Sequence, residues 1–164
     1  MPRERMTLAV LARSRAPVSR WARRSVAPSA VLMAPPEGAA PGERVGPAGD
    51  DETWYAGPVD LLLHSGDTGH LRDNLHSGRP MLWAALKRGG LGIAGLTADP
   101  YEGEVLAGDD GLVVEALPMP EPVAQALAAF VARHHVDEGF EKRKRRVSKR
   151  ARNARSGAEQ TPRG

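Results

Sequence analysis

Cysteine is absent from all 164 residues. That excludes disulfides, thiolate nucleophiles, iron–sulfur ligation and cysteine-based zinc sites, and it suits a reducing, cytoplasmic setting. Aromatic residues make up only 4% of the chain, so a core must be built mainly from aliphatic side chains. No apolar run reaches the ~18 residues that span a bilayer, so no membrane partner is expected. TLAVLA (7–12) is short and runs into Arg13 and Arg15, which argues against a cleavable signal. Arg23-Arg24 precede SVAPSAVLMA, but Pro28 interrupts that segment and a twin-arginine signal is not expected. No G-x-S-x-G elbow and no P-loop occurs.

Charge is plentiful but unevenly placed. The formal net charge is +3. Residues 141–164 hold ten Lys/Arg and two Glu, and residues 1–24 hold seven Arg and one Glu. These ends carry +8 and +6, so the middle, 25–140, carries −11. Basic ends on an acidic body call for an explanation.

Gly 18 and Pro 14 favour short strands and many turns. MTLAVLA (6–12) and SAVLMA (29–34) read as strands. PPEGAAPGERVGPAGDDE (35–52) has four Pro and four Gly and reads as a flexible loop. Beyond it WYAG, VDLLLH, GHLRDNLH, PMLWAALK, GIAGLT and GLVVEAL succeed one another at strand-like spacing with turn signals between them. LLL (61–63) and MLWAAL (81–86) do not alternate strictly and read as strands covered on both faces or, for the second, as a turn of helix. A helix is predicted in DPYEGEVLAG, with Asp99 as cap, Pro100 at the first helical position and Glu102 completing a capping box. Gly103 weakens that helix by about 1 kcal/mol relative to Ala. A second helix begins after Pro118-Met119-Pro120 and places Val123, Leu127, Phe130, Val131 and His134 on one face.

The pattern predicts an α+β fold: one antiparallel sheet of about six or seven strands, a meander or half-barrel, covered by a helix at 121–135. Residues 1–5 are expected to be a flexible N-terminus, 6–140 a single domain, and 141–164 a disordered basic tail.

Candidate chemistry is thin. Histidines fall at 64, 70, 76, 134 and 135, none at the spacing of an H-E-x-x-H helix. A metal site assembled in three dimensions stays open, but no ligand set is assigned, and His134-His135 read as one packed ring and one exposed. Asp50-Asp51-Glu52 lies in the loop, and Asp109-Asp110-Gly111 reads as a hairpin turn. No catalytic residue and no cofactor is assigned, and the protein reads as non-catalytic.

The tail stands out. Lys142, Arg143, Lys144, Arg145, Arg146, Lys149, Arg150, Arg152 and Arg155 form a block of like charge that stays extended until a partner neutralises it. An acidic protein partner and nucleic acid both remain open. Six phosphate contacts would give a log–log salt slope of about −5, but no aromatic residue interleaves the tail for base stacking.

WYAGPVDLLLH (54–64), LRDNL (71–75), DPYEGEVLAGDDGLVVEALPMPEPV (99–123) and FVARHHVDEGFEKRKRR (130–146) together resemble the proteobacterial domain of unknown function 3305 family. The motif positions are Pro100, Tyr101, Glu102, Pro118-Met119-Pro120, His134 and His135. Members of that family are often encoded beside molybdenum-dependent formate dehydrogenases and their maturation proteins. Some carry the label molybdopterin-guanine dinucleotide biosynthesis protein A. That label implies a glycine-rich phosphate loop after the first strand, whereas ARSRAPVSRWARR (12–24) has no Gly. The family tends to have Ala where this chain has Gly103, and a shorter loop in place of 35–52. The resemblance implies an accessory or adaptor role in maturing a molybdoenzyme, with a subunit or maturation factor as partner. The alternatives are nucleic-acid binding through the tail and, lowest, nucleotide chemistry in molybdopterin cofactor synthesis.

Overall fold

Alternation shapes the central strand. In β1 (Arg3–Arg15) Leu8, Val10, Ala12 and Ser14 are buried while Thr7, Arg13 and Arg15 are exposed, as a period of two requires. The computed structural model describes residues 3–135. β1 pairs antiparallel with β2 (Ser25–Leu32) on one side and with β4 (Asp51–His64) on the other. A two-residue strand, β3 (Arg44–Val45), adds to the far edge of β4. The order of this sheet is β2-β1-β4-β3. Opposite β1, the β4 strand is bulged at Ala56, and the next residue, Gly57, has φ 141°. An L side chain rarely adopts that conformation, so Gly is required there.

The second sheet has the order β6-β5-β7. β5 (Met81–Lys87) lies in the middle and buries Leu82, Ala84, Ala85 and Leu86. β6 (Ile93–Thr97) and β7 (Leu112–Pro118) flank it, both antiparallel. β2 lies against β7 and β4 against β6, yet no hydrogen-bonded ladder joins the sheets among the described residues. The architecture is α+β with antiparallel sheets. The single expected sheet is instead two.

The chain leaves the first sheet at His64, where a helix replaces the expected strand. GHLRDNLH is not extended: after a 3-10 turn at Ser65–Asp67 the chain forms α1 (Thr68–Leu75). Thr68, Leu71 and Asn74 are its buried residues, a spacing of three that suits a helix and not a pleated strand. The buried amide of Asn74 then fixes the crossing. Its Nδ2 donates to the carbonyls of Met81 and Ala98, each at 2.8 Å, and its Oδ1 accepts from the Met81 amide at 3.0 Å. One side chain thereby ties α1 to the start of β5 and to the segment after β6.

α2 (Pro100–Ala107) starts as the sequence implies: Asp99 caps it by accepting from the Tyr101 amide. The capping box closes through an intermediary. Glu102 accepts from the Thr97 hydroxyl, and that hydroxyl accepts from the Asp99 amide. Residues 121–135 form the third helix, α3. Val123, Leu127, Phe130 and Val131 enter one cluster with Leu8, Val31, Leu61, Leu63, Leu71, Leu82 and Leu117. α3 therefore does not cover one continuous sheet; it closes a core shared by both sheets and α1. Each fully buried Leu or Phe there contributes about 1.5–3 kcal/mol.

Other expectations need correcting. Arg3, Glu4 and Arg5, read as flexible, belong to β1. WYAG and VDLLLH are one strand, continuous through the bulge. The stretch 35–52 is not wholly loop, since β3 lies within it and Tyr55 exchanges backbone hydrogen bonds with Gly42 and Glu43. Asp109-Asp110-Gly111 joins α2 to β7 and is no hairpin; Asp109 accepts from the Gly111 amide as an Asx turn. The tail at 141–164 lies outside the described residues.

Candidate functional site

Two places gather polar side chains. The first is a cleft of about 870 Å³ where β2 faces β7, lined by Arg13, Arg15, Arg23, Arg24 and Arg88, with Glu115 the one carboxylate among the described residues of the lining. The arginines are not equivalent. Arg24 is used structurally: it pairs with Glu52 at 3.0 Å and donates to Ser14 and to the carbonyls of Gly49 and Asp50. Arg13 pairs with Asp51 at 2.8 Å, and Arg88 donates to the carbonyls of Asp110 and Leu112. Arg15 and Arg23 have no side-chain partner among the described residues. They are the cations of this cleft with capacity to spare.

The β1–β2 connection holds Val18 and Trp21, which are 103% and 84% exposed. The guanidinium of Arg20 sits 5.1 Å from the Trp21 ring centroid, within cation–π range.

The second place joins the start of α1 to the start of α2. His70 Nδ1 lies 3.1 Å from Asp99 Oδ2. One possible ligand atom from each of Asp67, His70 and Asp99 lies within 4.8 Å of the other two. The Tyr101 ring is tilted 36° against the His70 ring at a centroid distance of 4.4 Å. Asp99 is held from both sides, by His70 at Oδ2 and by the Tyr101 amide at Oδ1. Asp67 occupies the N-cap of α1, yet its side chain makes no capping hydrogen bond.

The family-motif residues divide between these contacts and the scaffold. Pro100 opens α2, Tyr101 covers His70 and Glu102 closes the cap. His134 packs its ring on Phe130 at 4.5 Å. His135 reaches α1, with Nδ1 3.4 Å from the Thr68 hydroxyl and Nε2 3.3 Å from the Arg72 guanidinium. Arg133 pairs with Glu4 of β1. The basic-block positions Lys142, Arg143, Lys144, Arg145, Arg146, Lys149, Arg150 and Arg152 lie outside the described residues. Asp67 and His70 were not singled out by sequence. Their signal was an Asp-x-x-His spacing at a helix start, which places both side chains over one turn.

Residues 90–95, G-L-G-I-A-G, fit the G-x-G-x-x-G string. They form the β5–β6 turn and the first part of β6. No helix N-terminus comes next, so the string lacks the geometry that holds a pyrophosphate.

The profile of the family described as Protein of unknown function (DUF3305) matches residues 7–146, and the chain belongs to that family. No curated protein and no solved structure matches the chain.

Proposed function

We propose that the protein is a non-catalytic accessory factor that docks on an acidic surface of a molybdenum-dependent enzyme, such as formate dehydrogenase, or of one of its maturation factors. The observation that carries the docking role is the cleft between β2 and β7, where Arg15 and Arg23 present guanidinium groups with no side-chain partner among the described residues. Paired arginines are committed to the fold; unpaired ones on a concave surface are available to carboxylates, which they bind in bidentate fashion. The +8 tail adds long-range attraction, which raises association rates more than final affinity. The molybdenum association comes from the resemblance to the family.

Deleting the gene and measuring formate dehydrogenase activity and molybdenum content tests the pathway. Both should fall; full activity under conditions that demand the enzyme would overturn it. Arg15→Glu with Arg23→Glu should reproduce the deletion if the cleft is the docking surface.

A second reading is favoured by one observation. Trp21, exposed and in cation–π contact with Arg20, is built as a base-stacking platform is, so a single-stranded nucleic acid would suit the hairpin and the tail together. Quenching of tryptophan fluorescence by an oligonucleotide, lost in Trp21→Ala, would favour it.

A further inference from the structure

We propose that Asp67, His70 and Asp99 bind a divalent first-row transition cation and leave part of its coordination sphere open to an outside ligand. The proposal does not rest on the docking role. It begins from an oddity at the start of α1. An N-cap aspartate ordinarily accepts a backbone N–H of the first turn, a bond worth about 1 kcal/mol. Asp67 makes no such bond. Its carboxylate is instead close to a second carboxylate, Asp99, with His70 completing the group. Two like charges at that separation repel each other, and Asp67 makes no ion pair with an Arg or Lys among the described residues. A bound cation would balance both carboxylates at once.

The donor set selects the ion class. An imidazole with two carboxylates suits Zn²⁺, Co²⁺, Mn²⁺ or Fe²⁺, whereas Mg²⁺ and Ca²⁺ prefer oxygen alone. Three protein ligands are one short of a closed tetrahedral structural site. The His70 side chain is 44% exposed, so solvent or a ligand can reach the open side. The surroundings resemble an outer shell. The Tyr101 amide holds the second oxygen of Asp99, the Tyr101 ring covers one face of the imidazole, and the Thr97–Glu102 relay fixes the backbone at Asp99. Such contacts orient ligands and raise metal affinity. On binding, the direct His70–Asp99 contact is replaced by two bonds to the metal, and the imidazole nitrogen that binds the metal carries no proton.

The test uses tag-free full-length protein titrated with Co²⁺ by visible absorption and with Zn²⁺ by calorimetry. Saturation at one equivalent is expected. Asp67→Ala and His70→Ala should each weaken binding by at least about 100-fold, the upper end of what loss of an outer-shell partner costs. Because Asp67 supplies no capping bond, Asp67→Ala should keep the metal-free Tm, and Zn²⁺ should raise the Tm of the wild type alone. Absence of binding would overturn the proposal. Equal affinity in the wild type and Asp67→Ala would overturn it too, by placing the metal elsewhere on the chain.

Discussion

A Cβ built on Gly103 would fall 2.5 Å from Cγ and 2.7 Å from Cδ2 of Trp83. The indole of β5 rests on the bare backbone of α2, and no larger residue fits between them. This contact sets how closely α2 approaches the second sheet. It also sets the position of the α2 N-terminus, and with it Asp99 and Tyr101 relative to His70.

Gly103→Ala should therefore destabilise the protein although Ala is the better helix former. The helical gain is about 1 kcal/mol, while overpacking costs typically 1–3 kcal/mol. Urea unfolding should show a net loss. In a Trp83→Leu background, where the ring is gone, the same substitution should become neutral or stabilising. Equal effects in both backgrounds would show that the indole does not set the α2 position.

Asn74→Asp is nearly isosteric but inverts the chemistry. Two N–H donors aimed at the carbonyls of Met81 and Ala98 become oxygen. Acceptors then face acceptors in a buried site, which costs about 1–3 kcal/mol for each carbonyl left unpaired. A fall in Tm of roughly 8 °C or more is expected. A Tm within about 2 °C of wild type would mean that water replaces the lost donors.

The cleft arginines should separate by function. Arg24→Ala removes the Glu52 pair and the bonds to Ser14, Gly49 and Asp50, so it should cost about 1–3 kcal/mol of stability. Arg23→Ala removes no partner among the described residues and should stay within about 0.5 kcal/mol of wild type. Chemical denaturation of the two variants side by side checks this; equal losses would mean that Arg23 has a structural role as well.

Much of the scaffold is legible in the residues themselves. The α2 cap could be read because Asp-Pro-x-Glu encodes its own hydrogen bonds locally. Strands β1, β6 and β7 could be read from short apolar runs between turn residues, whereas MLWAAL, buried on both faces in β5, lacks the alternation that tells a strand from a turn of helix. α1 could not, because eight residues holding two Leu four apart look like any short apolar stretch until Thr68 and Asn74 find buried partners. Nor could the division into two sheets, which depends on where α1 carries the chain. The Asp67–His70–Asp99 group joins residues 29 and more positions apart across two helix starts, and only tertiary structure brings them together. Gly103 read as a weakness for the same reason: its partner, Trp83, lies twenty positions earlier on another element.

The two functional readings make opposite demands on Trp21 and on the unpaired arginines. If the partner is an acidic protein, Arg15→Glu with Arg23→Glu should slow association strongly at low salt, and the defect should shrink as ionic strength rises, because the attraction is screened within a Debye length of about 8 Å at physiological salt. Trp21→Ala should then matter little to the rate. If the partner is single-stranded nucleic acid, Trp21→Ala should cost about 1–3 kcal/mol of affinity for one lost stacking contact. That loss should persist at high salt, since stacking is not ionic, while each arginine removed lowers the salt slope by about 0.7. Stopped-flow association and equilibrium binding across a salt series, for both variants and both kinds of partner, separate the cases. A salt-independent Trp21→Ala defect towards an oligonucleotide, with unchanged association to molybdoenzyme subunits in the arginine variant, would overturn the docking role.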